Sequence, residues 1–239
     1  MIFSVVILFS ALHGVMPEWL FILYFEQKGN NMDLVKIKQI AFDEMSEKVH
    51  WSGEKGYKLY HGERVAKLAL ALKKYILTND SGEYDDIMTV AAWFHDNMHG
   101  EKEHSLAGAE RAKILLTDYC SEYEMREIYD IIYRHDDRHS NRDEFSVYTK
   151  IQQDADHLDH IGASMIWTEF LYALHNRKNI FETIEKLEDM QNMFSTGTEA
   201  ELNFDISKKI CRERIEFSRL FLERFRIEGT GGIYNVENL

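Results

Sequence analysis

The sequence predicts an all-α protein, a single helical domain of roughly eight to nine helices. Three observations predict it. Proline breaks helices by removing a donor and crowding the preceding turn, and the one proline in 239 residues is Pro17. The strong helix formers Ala, Leu, Glu and Lys are abundant throughout. Apolar residues recur at three- and four-residue spacing over most of the chain after Met32.

Residues 1–31 read as an apolar N-terminal extension. The run MIFSVVILFSALHGVMPEWLFILYFE lacks the basic start and the small-residue cleavage site of a signal peptide. Pro17 and Glu18 interrupt what would have to be a spanning helix. Two readings stay open for residues 1–26: a membrane anchor, or a segment upstream of a native start at Met32. The second fits Lys28-Gly29-Asn30-Asn31, which purine-rich codons resembling a ribosome-binding site could encode.

From Met32 the pattern is that of a soluble domain over 32–227, with a flexible tail at 228–239. Apolar periodicity places helices over about 33–49, 57–78, 84–97, 104–118, 122–135, 145–160, 162–176, 179–194 and 199–227. Val65, Leu68, Ala69 and Leu72 share one face of the second. Trp51-Ser52-Gly53 and Asn79-Asp80-Ser81-Gly82 are turns, and 136–144 is a polar loop. The last helix is strongly amphipathic, suited either to the core or to a homodimer interface.

The net charge of -13 disfavours a stable complex with DNA or RNA, whose phosphates it repels. A small phosphate ester is still compatible, because a bound cation reverses the local potential. Cys120 and Cys211 form no C-x-x-C pattern, so a disulfide framework is not expected and a reducing cytoplasm is the natural compartment. Reactive groups have to be sought elsewhere, and the 11 histidines are the most informative residues.

His61 stands in KLYHGERVAKLA, His95-Asp96 in AAWFHDNMHG, and Asp156 in IQQDADHLDHIG. Imidazole nitrogen and carboxylate oxygen together suit a borderline or hard divalent cation. Adjacent residues point about 100° apart on a helix, so His95 and Asp96 can meet one ion only near a helix end. Asp154, Asp156 and Asp159 all flank the core face marked by Ile151, Ala155, Leu158 and Gly162, and helical geometry does not choose between them.

The order His, His-Asp, Asp resembles the HD-domain superfamily of metal-dependent phosphohydrolases over about residues 55–165. His61 precedes Arg-Val-Ala-x-Leu-Ala, His95-Asp96 follows Ala-Ala-Trp-Phe, and Asp156 lies in Asp-Ala-Asp-x-Leu-Asp. The resemblance implies an HD-type helical domain holding a divalent metal ion (Mn, Mg, Fe, Co, Ni or Zn) on His61, His95, Asp96 and Asp156. Asp154 and Asp159 are then left as supporting or surface groups. His104 in His-Ser-Leu-Ala-Gly and His135 at the end of EIYDIIYRH resemble the further ligands of two-metal relatives such as HD-GYP phosphodiesterases. They imply a second ion, bridged by Asp96; otherwise His104 and His135 simply occupy helix ends, where His135 would suit the dipole.

The resemblance has departures. Where relatives carry Glu or Lys, four positions after the first residue of the His-Asp pair, this chain has His99. It is either an auxiliary acid or base beside Asp96 or a solvated loop residue. The HD-GYP signature is missing after His135. The implied reaction is hydrolysis of a phosphate ester or phosphoanhydride, with a nucleotide as the small phosphorylated partner. Arg64, one turn from His61, Lys58 and Arg138 are the foremost phosphate-binding candidates, with Lys55 and Arg111 behind them. The alternatives are a di-iron HD-type oxygenase on the same six ligands, or a non-enzymatic metal-binding signalling module.

Overall fold

Helices begin where the chain can satisfy the free N–H groups of a first turn. The computed structural model describes residues 32–138 and 140–234; the 1–31 extension and the end of the tail lie outside the described residues. Asp33 accepts from the Lys36 N–H to start α1 (Leu34–Met45). α2 spans Tyr57–Ile76, and α3 spans Asp85–Phe94 with Asp85 and Asp86 at its positive end. α4 is His104–Leu116. Ser121 and Glu124 form a reciprocal cap on α5 (Glu122–Arg134). After a 3₁₀ turn at Arg142–Glu144, Ser146 caps α6 (Val147–Asp159). α7 is Ala163–His175, and Asn179 with Glu182 caps α8 (Ile180–Ser195). α9 (Thr198–Glu201) and α10 (Asp205–Gly229) complete the set. Among the described residues there is no β-strand, only an isolated bridge between Val49 and Lys55. None of the described helices is long and apolar enough to cross a membrane.

α2 is the central helix, packed most extensively on α3 and α6. Val65, Ala69 and Leu72 of α2 meet Met88, Ala91 and Phe94 of α3 and Ile151, Ala155 and Leu158 of α6 in one buried core. A smaller cluster, Met165, Ile166 and Leu187 with Phe170, Phe221 and Phe225, joins α7, α8 and α10.

Two glycines set how closely the site-bearing segments approach. A Cβ on Gly62 would lie 2.7 Å from the Ala92 carbonyl oxygen and 3.1 Å from Trp93 Cα. The missing side chain lets α2 sit against the backbone of α3 beside His61. A Cβ on Gly108 would lie 2.9 Å from Asn97 Oδ1 and 3.3 Å from the His95 carbonyl. That is the physical reason for glycine four residues after His104.

Three element boundaries differ from the periodicity. α1 ends at Met45 instead of running to 49, because Lys48 N–H turns back to Met45 and Val49 pairs in the bridge with Lys55. α3 ends at Phe94 instead of running to 97, because the chain turns through successive short-range bonds, Asn97 N–H to Phe94 and His99 N–H to Asp96. The helix expected over 199–227 is split at Leu202–Phe204. There the buried Asp154 carboxylate accepts from the backbone N–H of Asn203 (2.8 Å) and of Phe204 (3.1 Å), and from the Asn203 amide (2.8 Å). A side-chain acceptor thus replaces the helical carbonyls and adds one element to the count.

Candidate metal centre

The C-terminal ends of α3, α5 and α6 point at the second turn of α2, beside the first residue of α4. α2 delivers His61, and α3 ends on His95, its C-cap, with Asp96 next in the chain. α5 ends on His135, its C-cap. α6 carries Asp156 and Asp159 in its last turn and ends on His160, while His104 opens α4. His61, His95, Asp96 and His135 are all buried.

His61 Nε2 lies 3.0 Å from Asp156 Oδ1 and 3.2 Å from His95 Nε2, and His95 Nε2 lies 3.4 Å from Asp156 Oδ1. Asp96 Oδ2 is 3.8 Å from His61 Nε2 and 3.7 Å from His95 Nε2. Ligands bound at about 2.1 Å are separated by roughly 3.0–3.4 Å in octahedral or tetrahedral sites. The His61, His95 and Asp156 edges therefore suit one cation as they stand, whereas Asp96 Oδ2, which pairs with Lys58, has to close in by a few tenths of an ångström and exchange that ammonium for the ion.

The other oxygen of Asp96 faces a second group. Oδ1 lies 3.6 Å from His99 Nδ1, 3.7 Å from His135 Nε2 and 4.0 Å from His104 Nε2. His104 Nε2 is also 3.4 Å from Asp136 Oδ2, whose other oxygen accepts from the Ser105 hydroxyl. Asp96 thus presents one oxygen to each of two donor sets; His61 with His95 and Asp156, and Asp96 with His99 and His104, are each close enough to hold an ion.

Imidazoles ligate through a lone pair, so the opposite nitrogen must hold the proton. Three rings are fixed this way. His61 Nδ1 donates to Asp159 (2.7 Å), His95 Nδ1 to the Ala92 carbonyl (2.8 Å) and His135 Nδ1 to the Ile132 carbonyl (2.7 Å). Asp159 is held in turn by Arg64, whose Nη2 donates at 2.9 Å and Nε at 3.0 Å.

Electrostatics favour positive charge at the centre. Burial alone would push Asp96 up, but the His95 charge, hydrogen bonds from His135 and His99, and Lys58 hold it well below the usual carboxylate range. Asp156 behaves alike: burial raises it, while His95 and hydrogen bonds from His160 and His61 win. Burial opposes a charge on His95, yet Asp96 and Asp156 push it up to about 9. Two carboxylates that protonate a fully buried imidazole define a point where a divalent cation is well matched. Burial and neighbouring His135 push His104 down, leaving a lone pair available.

No protein-family model matches the chain, and a search of curated proteins finds no match. Solved structures do match. A structure described as an HD-superfamily hydrolase from Bacillus thuringiensis aligns with a TM-score of 0.60 at 22% identity, covering 83% of this chain and 97% of that one. A predicted HD superfamily hydrolase from an uncultured Thermotogales bacterium aligns at 0.56 and 22%, covering 86% and 98%. Bacillus subtilis YpgQ in complex with ADP aligns at 0.54 and 21%, covering 82% and 98%. The chain has the HD-type helical fold.

Within this HD fold the basic candidates separate. Lys58 lines the cleft over the cluster, with Nζ 2.5 Å from Asp96 Oδ2. Arg64 is not among the residues lining the cleft and pairs with Asp159, Arg111 pairs with Glu44, and Lys55 pairs with Glu47. Arg138 Nη2 donates to the Gln153 carbonyl, beside the 136–144 loop. His99 is 45% exposed at the rim of the cleft. Of the two aspartates left as supporting or surface groups, Asp159 supports His61. Asp154 does neither: from α6 its wholly buried carboxylate accepts from the turn before α10.

Three residues beside the cluster were not among the sequence candidates. His160 Nε2 lies 3.6 Å from Asp156 Oδ1, and its i,i+4 spacing from Asp156 placed it on the same face. Asp136, next to His135, meets His104. His50 stacks on Tyr57 with ring centroids 3.9 Å apart, and its Nδ1 meets Ser52 Oγ at 2.8 Å. Burial, with the charges of Lys58 and nearby imidazoles, pushes His50 down to about 3, so the ring is neutral. No pattern around His50 pointed to the site.

Proposed function

We propose that the protein is a metal-dependent phosphohydrolase acting on a phosphate ester or phosphoanhydride of a nucleotide. The convergence of His61, His95, Asp96 and Asp156, from three separate segments, at edges suited to one ion carries this reading. Two of the structural neighbours are described as HD-superfamily hydrolases, and one neighbour was crystallised with ADP.

In this reading His61, His95, Asp96 and Asp156 would hold one divalent ion, and His104 and His135 with Asp96 would hold another. Such an ion would supply polarisation of a phosphoryl oxygen and a water whose pKa is lowered toward ~7. The remaining work falls to the protein. Lys58 brings a cation to the cleft wall beside Asp96, where it neutralises phosphate charge. His99, at the rim and 3.6 Å from Asp96, accepts the proton of the attacking water and passes it to solvent. Arg64 acts through Asp159, which keeps His61 in the ligating tautomer.

Metal analysis joined to a phosphate- and pyrophosphate-release screen tests the proposal. Nucleotides, sugar phosphates and cyclic dinucleotides form the panel, each with Mn, Mg, Co, Ni, Zn and Fe. Turnover of a nucleotide that stops in chelator is expected. Absence of turnover across the whole panel would sink it. The same six side chains suit two irons, so a di-iron oxygenase is the second reading; iron content with substrate-dependent oxygen uptake would select it.

A further inference from the structure

The cleft extends beyond the His/Asp cluster to a wall that the proposed chemistry does not use. Met165, Thr168 and Glu169 of α7 line it, faced by Met190 and Phe194 of α8. Glu169 is 2% exposed, and its Oε2 has no hydrogen-bond partner among the described residues. A buried carboxylate oxygen without a donor is costly and calls for an explanation. The Thr168 hydroxyl does not supply one, because it donates to the Ser164 carbonyl. Lys186 acts on Glu169 only through its charge, opposing the upward push of burial. Both residues line a neighbouring pocket, and no hydrogen bond joins them there.

The flanking groups indicate what the donor belongs to. Two thioethers and a phenyl ring make an apolar slot for a flat ring, and thioether sulfur packs favourably on aromatic faces. A hydrated sugar diol gains little from such walls. Burial favours the neutral form of the Glu169 carboxyl on this wall, but a ligand that offers two N–H donors would hold it ionised, and an ionised carboxylate accepts only. Among nucleobases, guanine alone offers two adjacent N–H donors, at N1 and N2, with no lone pair between them. Adenine, cytosine and uracil each set a ring nitrogen or carbonyl lone pair next to their donor, which an ionised carboxylate repels.

We infer that Glu169 is the specificity-determining residue of a base subsite between α7 and α8, and that the base it selects is guanine. The inference rests on the reading of the cleft as a nucleotide site. A carboxylate retained without an internal partner is then explained by the ligand that completes it.

Calorimetry on the full chain with Mn²⁺ tests this, using the α,β-methylene analogues of GDP, IDP and ADP, which resist hydrolysis between the phosphates. Wild type should bind the guanine analogue at least about 10-fold more tightly than the adenine one, with hypoxanthine between them because it lacks the N2 donor. Glu169→Gln, nearly isosteric, should erase that ranking while its melting temperature does not fall. A ranking that survives in Glu169→Gln, an adenine preference in wild type, or equal binding of all three would overturn the inference. Turnover of GTP and ATP is followed in parallel. Discrimination in binding with no turnover would fault the phosphohydrolase reading alone. Turnover of both without discrimination would fault the guanine subsite alone.

Discussion

On the inner side of Asp96, His61, His95 and Asp156 converge within 3.0–3.4 Å, and both imidazoles have their Nδ1 protons tied down. On the outer side, His104 and His99 are 27% and 45% exposed, and Asp136 is 48% exposed. Only His135 there matches the inner rings in burial and in a fixed Nδ1 proton. His61, His95 and Asp156 already hold their places before any ion arrives, so binding there costs a displaced Lys58 and a proton from His95 but little ordering of side chains. The outer donors also lie close together, but three of them are partly exposed and less firmly fixed. In the two-ion proposal the inner ion is therefore the tightly held one and the outer ion the exchangeable one.

Asp96 is the one side chain shared by both halves, so its loss is the largest effect expected. Asp96→Ala should lower turnover on the order of 10³-fold or more and remove metal from both positions. Circular dichroism should show helix content nearly unchanged, since Asp96 lies just past the end of α3. Full activity in this variant would break the site assignment altogether.

The next effect separates the inner half from the outer. Asp159→Asn removes the charge that holds Arg64 and leaves an amide whose NH₂ can face His61 Nδ1 and favour the wrong tautomer, and should weaken the tightly held ion about 10–100-fold while sparing the other. Chelator competition reads this directly. The same residue gives a stability test on the metal-free protein. Burial pushes Asp159 up, but hydrogen bonds from His61 and Arg64 bring it down to about 2. A depressed folded-state pKa adds stability that is fully present above the unfolded value of about 4 and is lost as pH falls toward 2. Denaturant midpoints of wild type and Asp159→Asn should differ at pH 6 and converge between about pH 4 and pH 2. A gap unchanged through that window would show that the ionised carboxylate does not carry it.

The contrast between the halves also marks what could be read from the chain alone. His61, His95 and Asp96 stand in local contexts that place them at helix faces and ends. The i,i+4 rule would have added His160 by the same reasoning. Choosing among Asp154, Asp156 and Asp159 needed a resemblance, because all three flank the same face. Their separate fates depend on partners 95 residues earlier for Asp159 and about 50 residues later for Asp154. The end of α10 nearest Asp154 was misplaced for the same reason: amphipathic periodicity continues through Asn203, but the Asp154 carboxylate captures the N–H groups there. Arg64 illustrates the limit for charges. Its distance from His61 along α2 was legible; its bond to Asp159 was not.

A smaller effect probes the outer half. His135→Ala should reduce bound metal by one ion per chain in a stoichiometric titration and cut turnover by about 10-fold. The inner ion should keep its affinity, because His135 touches the other oxygen of Asp96. Unchanged stoichiometry would reduce the centre to a single ion and remove the contrast between the halves.

His99→Asn is the mildest test. His99 sits at the rim, and Asp96 keeps its contacts with His135, Lys58 and His95 when that ring is gone. Metal content and melting temperature should therefore match wild type. If His99 takes up the proton of the attacking water, the turnover number should fall several-fold to tenfold with KM nearly constant, because the loss is felt in the transition state alone. Imidazole added to the variant should restore part of the rate. A variant with wild-type turnover would return His99 to the solvated loop and leave Asp96 to handle the proton. A variant that loses metal instead would make His99 a ligand of the exchangeable ion, extending the outer donor set beyond His104 and His135.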